Sequence, residues 1–394
     1  MEKARIVFLV NGDAASAMGL RARAFAERLA DQFEIEVVYR AGNKVLAILR
    51  FFRHLSRRRP HLCYVFDMAF SGVIAAGCYR LIEGGPMLVD TGDAIYQLSR
   101  STGNRGPLGL ALTRMLEWAA FSLSDGIIVR SHPHQELLQS RSIAADVVPD
   151  AVDTEQFRPA DDEPLRKKYQ LDGHTVIGLL GSLVWSPRWQ MCYGWELVEV
   201  IHQLKGRAVK GLIIGDGTGL ERLKARCAEL GIEDRVVFLG RAPYQDLPRL
   251  VSMMDICLST QTNDIPGRVR TTGKLPIYLA CGRFVLASQV GEAALVLPAE
   301  MLVPYEGTKD VEYPRRLAER IEELLEHPEV LRQYDARRRI AQKHFEYRTL
   351  APKVRQAIEK LLSKPSGAEA EFRLRRPPQE PGAGPPPAPL SRCE

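Results

Sequence analysis

The chain has 394 residues, 45% of them hydrophobic and 26% charged, which is the composition of a folded globular protein of two or three domains. Its 54 basic and 48 acidic residues give a net charge of +6, an excess too small and too dispersed for a dedicated nucleic-acid-binding protein. No apolar run is long enough to cross a membrane, no signal-peptide pattern is evident, and the seven cysteines form no C-x-x-C pair. We therefore expect a reduced, cytoplasmic protein without a structural metal.

Short apolar runs alternate with helix-like segments in the first 150 residues. A helical period is evident between residues 20 and 29, after the first of these runs. The runs that predict buried strands are 5–10, 35–39, 62–66, 86–90 and 126–130. Strands that alternate with helices predict a parallel sheet covered on both faces.

The same alternation begins again after a polar, proline-containing linker at 155–164. The apolar runs of this second unit are 175–180, 211–215, 236–239, 254–258 and 284–287. The sequence therefore predicts an α/β protein of two doubly wound domains that face each other across a cleft, with ligands bound where the strands end. From Lys364 to Glu394 the chain is rich in proline, glycine and alanine, and we predict a disordered tail.

Several segments, taken in order, carry a family resemblance. The most specific is Val148–Pro159, which is close to V-I-P-N-G-V-D-x-x-x-F-x-P. Segment Lys274–Gly282 follows K-L-x-E-Y-L-A-x-G, and Met18–Arg21 resembles a glycine-containing loop after the first strand. The order and spacing of 215–223, 234–240 and 344–362 add to the match. In these segments the chain resembles the bacterial glycosyltransferases of family 4, which have the GT-B fold of two Rossmann-like domains.

The resemblance implies a domain organisation. Residues 1–155 would form an acceptor-side domain, and residues 156–345 a nucleotide-sugar-side domain. A C-terminal helix at 346–363 would cross back to the first domain, followed by the tail at 364–394.

The donor site departs from the family pattern. Family members bind the donor through two glutamates, and the matching positions here are Val269 and Ile277, which accept no hydrogen bond from a hydroxyl. The loop between them is rich in cations, hydroxyls and glycine, a chemistry that suits a diphosphate, although a solvated basic loop is the alternative. The predicted donor-binding residues are Arg270, Thr271, Thr272, Gly273 and Lys274, with Gly19 supporting the phosphates from the first domain.

A further cation is expected near the donor. The family's Gly-Arg-Leu segment is Gly181-Ser182-Leu183 in this chain, so Arg188 is the nearest surviving cation. Trp185 and Trp189 flank it, and they either stack on a base or sugar or simply pack in the domain.

Two carboxylates occupy the loop after the fourth strand, where many family members carry a histidine beside the acceptor. These are Asp90 and Asp93, which we predict to orient the acceptor hydroxyl, although one of them would equally serve as a helix cap. The pair His132 and His134 lacks a neighbouring carboxylate or cysteine cluster, so we predict surface or loop histidines and no metal.

Two other segments allow alternative interpretations. Gly215–Gly219 resembles a dinucleotide fingerprint, but its third glycine is badly spaced, which favours a tight strand-to-helix turn. Segment 44–59 predicts a basic amphipathic helix, which either lies on an anionic membrane or packs on the first sheet. Its predicted apolar face is Val45, Ile48, Leu49, Phe52 and Leu55, opposite Arg50, Arg53, His54, Arg57 and Arg58.

The resemblance implies a retaining glycosyltransferase without a cofactor. It would move a hexose from a nucleotide-diphospho-sugar to an acceptor hydroxyl, in cell-surface polysaccharide or glycolipid synthesis. A membrane contact at 44–59 would place the enzyme at the inner membrane face and suit a lipid-linked acceptor. Because both donor glutamates are missing, a non-catalytic nucleotide-sugar-binding protein is the alternative, and an epimerase of the same fold is a third.

Overall fold

A computed structural model describes residues 3–68, 70–103 and 105–363. The predicted tail from Lys364 lies outside the described residues. In the first domain, strands and helices alternate. They are β1 (Ala4–Val10), α1 (Ala17–Leu29), β2 (Phe33–Tyr39), α2 (Lys44–Arg58), β3 (Leu62–Phe66), α3 (Phe70–Glu83), β4 (Met87–Thr91), α4 (Ile95–Thr102), α5 (Pro107–Leu123), β5 (Gly126–Val129), α6 (His132–Gln139) and β6 (Asp146–Val147).

The second domain repeats this alternation. Its elements are α7 (Glu163–Lys168), β7 (Thr175–Leu180), α8 (Trp195–Gln203), β8 (Val209–Ile214), α9 (Leu220–Leu230), β9 (Val236–Gly240), α10 (Leu247–Ser252), β10 (Ile256–Ser259), α11 (Ile265–Val269), α12 (Lys274–Ala280), β11 (Phe284–Ser288), α13 (Gly291–Val296), β12 (Leu302–Val303), α14 (Tyr313–Glu326), α15 (Pro328–Leu331) and α16 (Tyr334–His344). Helix α17 (Tyr347–Leu362) follows.

Each domain is built on a six-stranded parallel sheet. The strand orders are β2-β1-β3-β4-β5-β6 and β12-β11-β10-β7-β8-β9. The chain order reverses beside β1 in the first sheet and beside β7 in the second, and in such sheets ligands bind at the carboxyl ends of strands next to the reversal. The predicted fold of two doubly wound domains is confirmed.

The hydrophobic core explains why these elements stay together. Helices cover both faces of the first sheet, and the second sheet has its own apolar cluster. Helix α17 packs Tyr347, Leu350 and Val354 into the same cluster as Phe8 and Phe25 of the first domain. The end of the chain's described part therefore lies on the first domain.

The chain passes between the domains twice at one place. The Val152 N–H donates to the carbonyl of Phe345 at 2.8 Å, and the Tyr347 N–H donates back to Val152 at 3.2 Å. The buried carboxylate of Glu346 accepts a hydrogen bond from the Thr154 N–H at 2.9 Å. These bonds join the two interdomain connections into one short ladder.

Helix α2 has its predicted orientation only in part, since Ile48, Phe52 and Leu55 pack on the first domain. Ala47, Phe51 and Leu55 are buried against the domain, whereas Val45 and Leu49 are 69% and 57% exposed. The helix therefore packs on the first domain and still leaves apolar side chains uncovered at its N-terminal end. None of the helices within the described ranges is long and apolar enough to cross a membrane.

Candidate functional site

A cavity of about 960 Å³ lies between the two domains. The first domain contributes the N-terminal end of α1, together with Arg130 and Asp150, and the second contributes residues 241–245, Leu247, Gly273 and Ile277. Among the residues that line it, the charged ones are four arginines and one aspartate: Arg21, Arg23, Arg130, Arg241 and Asp150. Such an excess of positive charge suits an anionic ligand.

The N-terminus of α1 points into this cavity. The Ser16 hydroxyl caps the helix by accepting a hydrogen bond from the Gly19 N–H at 3.1 Å. The Ser16 N–H in turn donates to the carboxylate of Asp13 at 2.7 Å. Ala17 and Met18, in the first turn, line the cavity, and backbone N–H groups at such a position bind anions.

Gly19 has a packing role that was not predicted. It lies in the first turn of α1 rather than in a loop, because the cap at Ser16 starts the helix at Ala17. A Cβ atom on Gly19 would lie 2.2 Å from the carbonyl oxygen of Asp13. The glycine is therefore required by the close approach of the preceding loop, which is residues 11–16.

Asp90 is the centre of a buried ion cluster. It has no exposed surface, and its carboxylate accepts hydrogen bonds from Arg21 Nε at 2.9 Å, Tyr64 Oη at 3.1 Å and Arg130 Nε at 3.1 Å. Burial alone raises the pKa of a carboxyl group, but the guanidinium groups of Arg21 and Arg130 outweigh it and hold the pKa of Asp90 below its usual value. In this arrangement Asp90 has no surface on which an acceptor hydroxyl could bind. The prediction that it orients the acceptor is therefore replaced by a positioning role for two arginines.

Arg21 and Arg130 connect the buried carboxylate of Asp90 with the cavity, since both arginines line it. Arg21 donates to the carbonyls of Pro149 and Val148 at 2.6 and 2.8 Å, which fixes the segment that follows β6. Arg130 lies 3.5 Å from the carboxylate of Asp150. Neither Arg130 nor Asp150 was predicted from the sequence, although Arg130 directly follows a strand, which is where ligand-binding side chains are expected.

The predicted donor loop contacts the first domain. Arg270 Nε donates to the Asp93 carboxylate at 2.7 Å, and Thr271 Oγ1 donates to Asp150 at 3.0 Å. Both side chains of the first pair are about two-fifths exposed, at 40% and 36%. The loop thus meets the first domain beside the cavity, and Asp93, unlike Asp90, remains accessible.

The other predicted donor positions, Thr272 and Gly273, lie on the second domain with Val269 and Ile277, the positions that match the family's glutamates. Gly273 precedes α12 and lines the cavity together with Ile277, whereas Val269 is buried. Thr272 is half-buried, and its carbonyl accepts the Leu275 N–H at 3.0 Å. The second domain therefore contributes the apolar side chain of Ile277 and the backbone turn at Gly273 to the cavity wall.

Lys274 lies beneath the loop in an unusual environment. Its ammonium group is 3.3 Å from the centroid of the Tyr193 ring, and it approaches to 3.7 Å the position that a Cβ atom on Gly181 would take. Burial and the nearby charge of Arg270 lower the pKa of Lys274 to about 7. Burial also raises the pKa of Glu196, in the first turn of α8, to about 7. The lysine is therefore close to its titration point at neutral pH and gains most from a new anionic partner.

Arg188 connects the two domains. Its guanidinium donates to the carbonyls of Arg100 and Ser101 at the C-terminal end of α4, at 3.1 and 3.0 Å, and stacks on Trp189. Cations stabilise the C-terminal ends of helices. Arg188 is not among the residues that line the cavity, and neither are Arg270 and Lys274, so its donor role stays a prediction. Trp185 packs against Trp195 and Arg222, which favours the packing interpretation.

The two histidines of α6 have different surroundings. His132 pairs through Nδ1 with Glu292 of the second domain at 2.9 Å. His134 is buried, so it is not a surface residue, and burial lowers its pKa to about 4. Within the described ranges, histidine, cysteine, aspartate and glutamate form no group of three suited to a metal ion.

The glycines of Gly215–Gly219 are explained by packing. A Cβ atom on Gly215 would lie 1.8 Å from the carbonyl oxygen of Gly181, and one on Gly217 would lie 2.5 Å from the backbone of Leu183. The loop after β8 is thus pressed against the loop after β7. This geometry supports a tight strand-to-helix turn.

Comparison with known proteins places the second domain in a family. Residues 174–327 match the family model described as glycosyl transferases group 1. The 2-deoxystreptamine glucosyltransferase of Streptomyces kanamyceticus is 33% identical over 125 residues, which are 30% of this chain and 31% of that protein. The GDP-mannose-dependent α-(1-6)-phosphatidylinositol monomannoside mannosyltransferase of Mycolicibacterium smegmatis is 30% identical over 160 residues, 39% of this chain and 40% of that protein. The matched region thus spans about a third to two-fifths of these relatives.

Solved structures match nearly the whole described fold. Sucrose-phosphate synthase from Thermosynechococcus elongatus has a TM-score of 0.73 at 18% identity, covering 91% of this chain and 99% of that one. HepE from Anabaena, in complex with UDP-glucose, has a TM-score of 0.71 at 18% identity, covering 90% and 99%. At this level of identity the likeness concerns the fold alone. Residues 174–327 of the second domain are therefore similar to group 1 glycosyl transferases, within a two-domain fold that resembles the GT-B fold.

Proposed function

We propose that the chain is a retaining glycosyltransferase that moves a hexose from a nucleotide-diphospho-sugar to an acceptor hydroxyl. The observation that carries this proposal is the interdomain cavity, which combines the α1 N-terminus with four arginines inside a GT-B fold. Backbone N–H groups and guanidinium groups together suit a diphosphate. The proposed product class is a cell-surface polysaccharide or glycolipid.

The leaving diphosphate would be stabilised from both domains. The first turn of α1 and Arg130 would act from one side, and Arg270, Lys274 and the backbone at Thr272 and Gly273 from the other. Such preorganised charge stabilises the negative charge that develops on the departing group. A diphosphate beside Lys274 would raise its pKa and keep the ammonium charged.

Donor binding would also change the Arg270–Asp93 pair. In the structure each of these side chains satisfies the other. If Arg270 turns towards the diphosphate, the Asp93 carboxylate is left half-exposed at the cavity rim, where it would orient the acceptor hydroxyl. Asp93 thus takes over the role that burial denies to Asp90.

The proposal also includes a contact between α2 and an anionic membrane. Val45, Leu46 and Leu49 form an exposed apolar group at the start of this helix, which we call the α2 tip. Lys44, Arg50 and Arg53 are exposed around it. Apolar side chains surrounded by cations are typical of helices that lie in the membrane interface. A lipid-linked acceptor at the inner face of a membrane would fit this arrangement.

A non-catalytic nucleotide-sugar-binding protein is the second candidate. This candidate is favoured by the two positions that match the family's donor glutamates, since Val269 and Ile277 offer no carboxylate to the donor. An epimerase is less well supported, although the solved structures of similar fold include a putative UDP-N-acetylglucosamine 2-epimerase from Listeria monocytogenes.

The test is a panel of UDP-, GDP- and ADP-sugars. Thermal shift with each compound reports binding, and release of nucleoside diphosphate reports hydrolysis or transfer. The proposal predicts that nucleotide-sugars with one of the three bases raise the melting temperature and that one of them releases its nucleoside diphosphate. Stabilisation without turnover, with or without added acceptors, would favour the binding protein, and stabilisation by none of the compounds would contradict both.

A further inference from the structure

Helix α5 leaves an apolar stripe uncovered on the first domain. Leu108 is 89% exposed, and Leu112 and Met115 are 50% and 54% exposed. The spacing of four and then three residues places these side chains on one face of the helix. We call them the α5 stripe. Large apolar side chains grouped in this way on a surface indicate a binding face.

The α5 stripe and the α2 tip belong to the same side of the molecule. One apolar cluster contains Phe51 of α2, Tyr79 of α3 and Phe121 of α5. These three helices therefore cover the same face of the first sheet, with α3 between α2 and α5. The two exposed apolar groups lie at either side of one helical layer.

Cations predominate around both groups, although Glu36 pairs with Arg58 at the far end of α2. Segment 41–59 contains six cations and no acidic residue, and segment 94–124 contains Arg100, Arg105 and Arg114. Glu117 is the acidic residue of that second segment, and it is buried, with its carboxylate accepting a hydrogen bond from the Tyr96 N–H. A surface of cations around apolar side chains is complementary to an anionic bilayer.

A second copy of the chain fits this surface poorly. A two-fold interface brings the same patch of each subunit together. Here it would place the cations of 41–59 against the same cations of the partner. Charge complementarity therefore favours lipid over self-association.

The helical layer of α2, α3 and α5 lies beside the cleft. Helix α2 follows β2 directly, and α5 ends just before β5 begins. Both helices therefore start at the edge of the sheet where the strands end, which is the edge that faces the cavity. Helix α4, which precedes α5, meets the second domain through Arg188 and through the hydrogen bond from Ser101 Oγ to Asp264 at 2.7 Å.

We propose that the α5 stripe and the α2 tip together form a two-point docking face for an anionic lipid bilayer, which brings the mouth of the cleft to the membrane surface. This inference rests on the membrane contact proposed above and adds a second helix to it. With two contacts, the bilayer would fix the orientation of the first domain. A lipid-linked acceptor would then reach the cleft along the membrane surface.

The test is co-sedimentation of the full chain with vesicles. We would compare vesicles of phosphatidylcholine alone with vesicles containing 30% phosphatidylglycerol. The test variant is Leu108→Ser, Leu112→Ser, Met115→Ser. The matched control is Val184→Ser, Leu295→Ser, Val311→Ser, which removes three exposed apolar side chains from the second domain.

The inference predicts that wild type and the control bind the anionic vesicles and that the α5 variant binds at least tenfold more weakly. Each cation near an anionic surface contributes roughly a fivefold factor in binding, so raised salt should weaken binding of the wild type. A single Leu108→Ser variant, with the most exposed of these side chains, gives the same test at smaller amplitude if the triple variant folds poorly.

Several results would overturn the inference. Equal binding of the α5 variant and the wild type would do so, because binding lost only in Val45→Ser, Leu46→Ser, Leu49→Ser would place the contact on α2 without α5. No binding of the wild type, or a wild-type dimer that the α5 variant dissociates, would also refute it. Nucleotide binding by the same preparations reports the proposed function separately, and we expect it to be unchanged in the α5 variant.

Discussion

Replacing Asp90 with asparagine tests the structural role that the buried cluster gives this residue. The substitution keeps the size of the side chain but removes the charge that two arginines face. Asp90 has no exposed surface, and Arg21 beside it is 2% exposed. Breaking a buried ion pair by removing one partner costs about 3–5 kcal/mol, because the remaining charge is left uncompensated.

That cost is large enough to measure directly. A domain of this size loses roughly 2–4 °C in melting temperature per kcal/mol, so we expect the first domain to melt about 6–20 °C lower. Because the folded pKa of Asp90 lies below its unfolded value, its contribution to stability is present at neutral pH. That contribution should be lost only as the pH falls below about 4.

Urea unfolding and calorimetry provide the assay, and Asp93→Asn provides the control. Asp93 pairs with Arg270 in a half-exposed position, and such pairs contribute about 0–1 kcal/mol. A loss below about 1 kcal/mol for Asp90→Asn would refute the ion-cluster account. Catalysis lost at unchanged stability would restore the original prediction that Asp90 acts on the acceptor.

Three further predictions follow from single contacts. Gly19→Ala should destabilise the first domain by about 1–3 kcal/mol in urea unfolding, since the new Cβ would collide with the backbone of the preceding loop. Gly106→Ala is the control, because a Cβ there has no neighbour within 4 Å, and equal effects of the two substitutions would contradict the close contact at Gly19. The affinity of the protein for its nucleotide-sugar should fall about tenfold from pH 6 to pH 8, because Lys274 loses its proton near pH 7. Calorimetry should find no such fall for Lys274→Arg, and the same pH dependence in wild type and Lys274→Arg would show that Lys274 does not bind the donor. Glu346→Ala should cost about 1–2 kcal/mol through the lost bond to the Thr154 N–H, and an unfolding curve equal to that of Glu359→Ala would show that the interdomain ladder does not need this carboxylate.

The sequence was sufficient for the architecture. Short apolar runs separated by helical periods predicted ten of the twelve strands of the described residues, whichever residues fill the loops. The strands β6 and β12 have two residues each and leave too short an apolar run to be recognised. The burial of Asp90 did not follow, because Arg21 and Arg130 approach it from 69 and 40 residues away. Only the fold brings these three side chains together.

Two other departures have local causes. The buried face of α2 includes Ala47, a small residue that a pattern of large apolar side chains overlooks, and Val45 and Leu49 are left exposed. Arg188 lies in the loop between β7 and α8, whose shape no motif fixes, and it contacts α4 instead of the cavity. The cap at Ser16 was readable from the sequence, since serine is a favoured N-cap, and would have placed Gly19 inside the helix.

The diphosphate site is tested most directly by calorimetric titration with UDP, GDP and ADP and with the matching nucleosides. We predict that one of the three diphosphates binds the wild type and that Arg270→Ala and Lys274→Ala each weaken it about tenfold to a hundredfold. A charge-assisted hydrogen bond contributes about 1.5–3 kcal/mol, and each 1.4 kcal/mol is one decade in affinity. Binding of the nucleoside should hardly change, and Asp93→Asn, which releases Arg270, should bind the diphosphate at least as tightly as the wild type. No binding of any diphosphate to the wild type, or equal affinity in Arg270→Ala and Lys274→Ala, would contradict the proposed site.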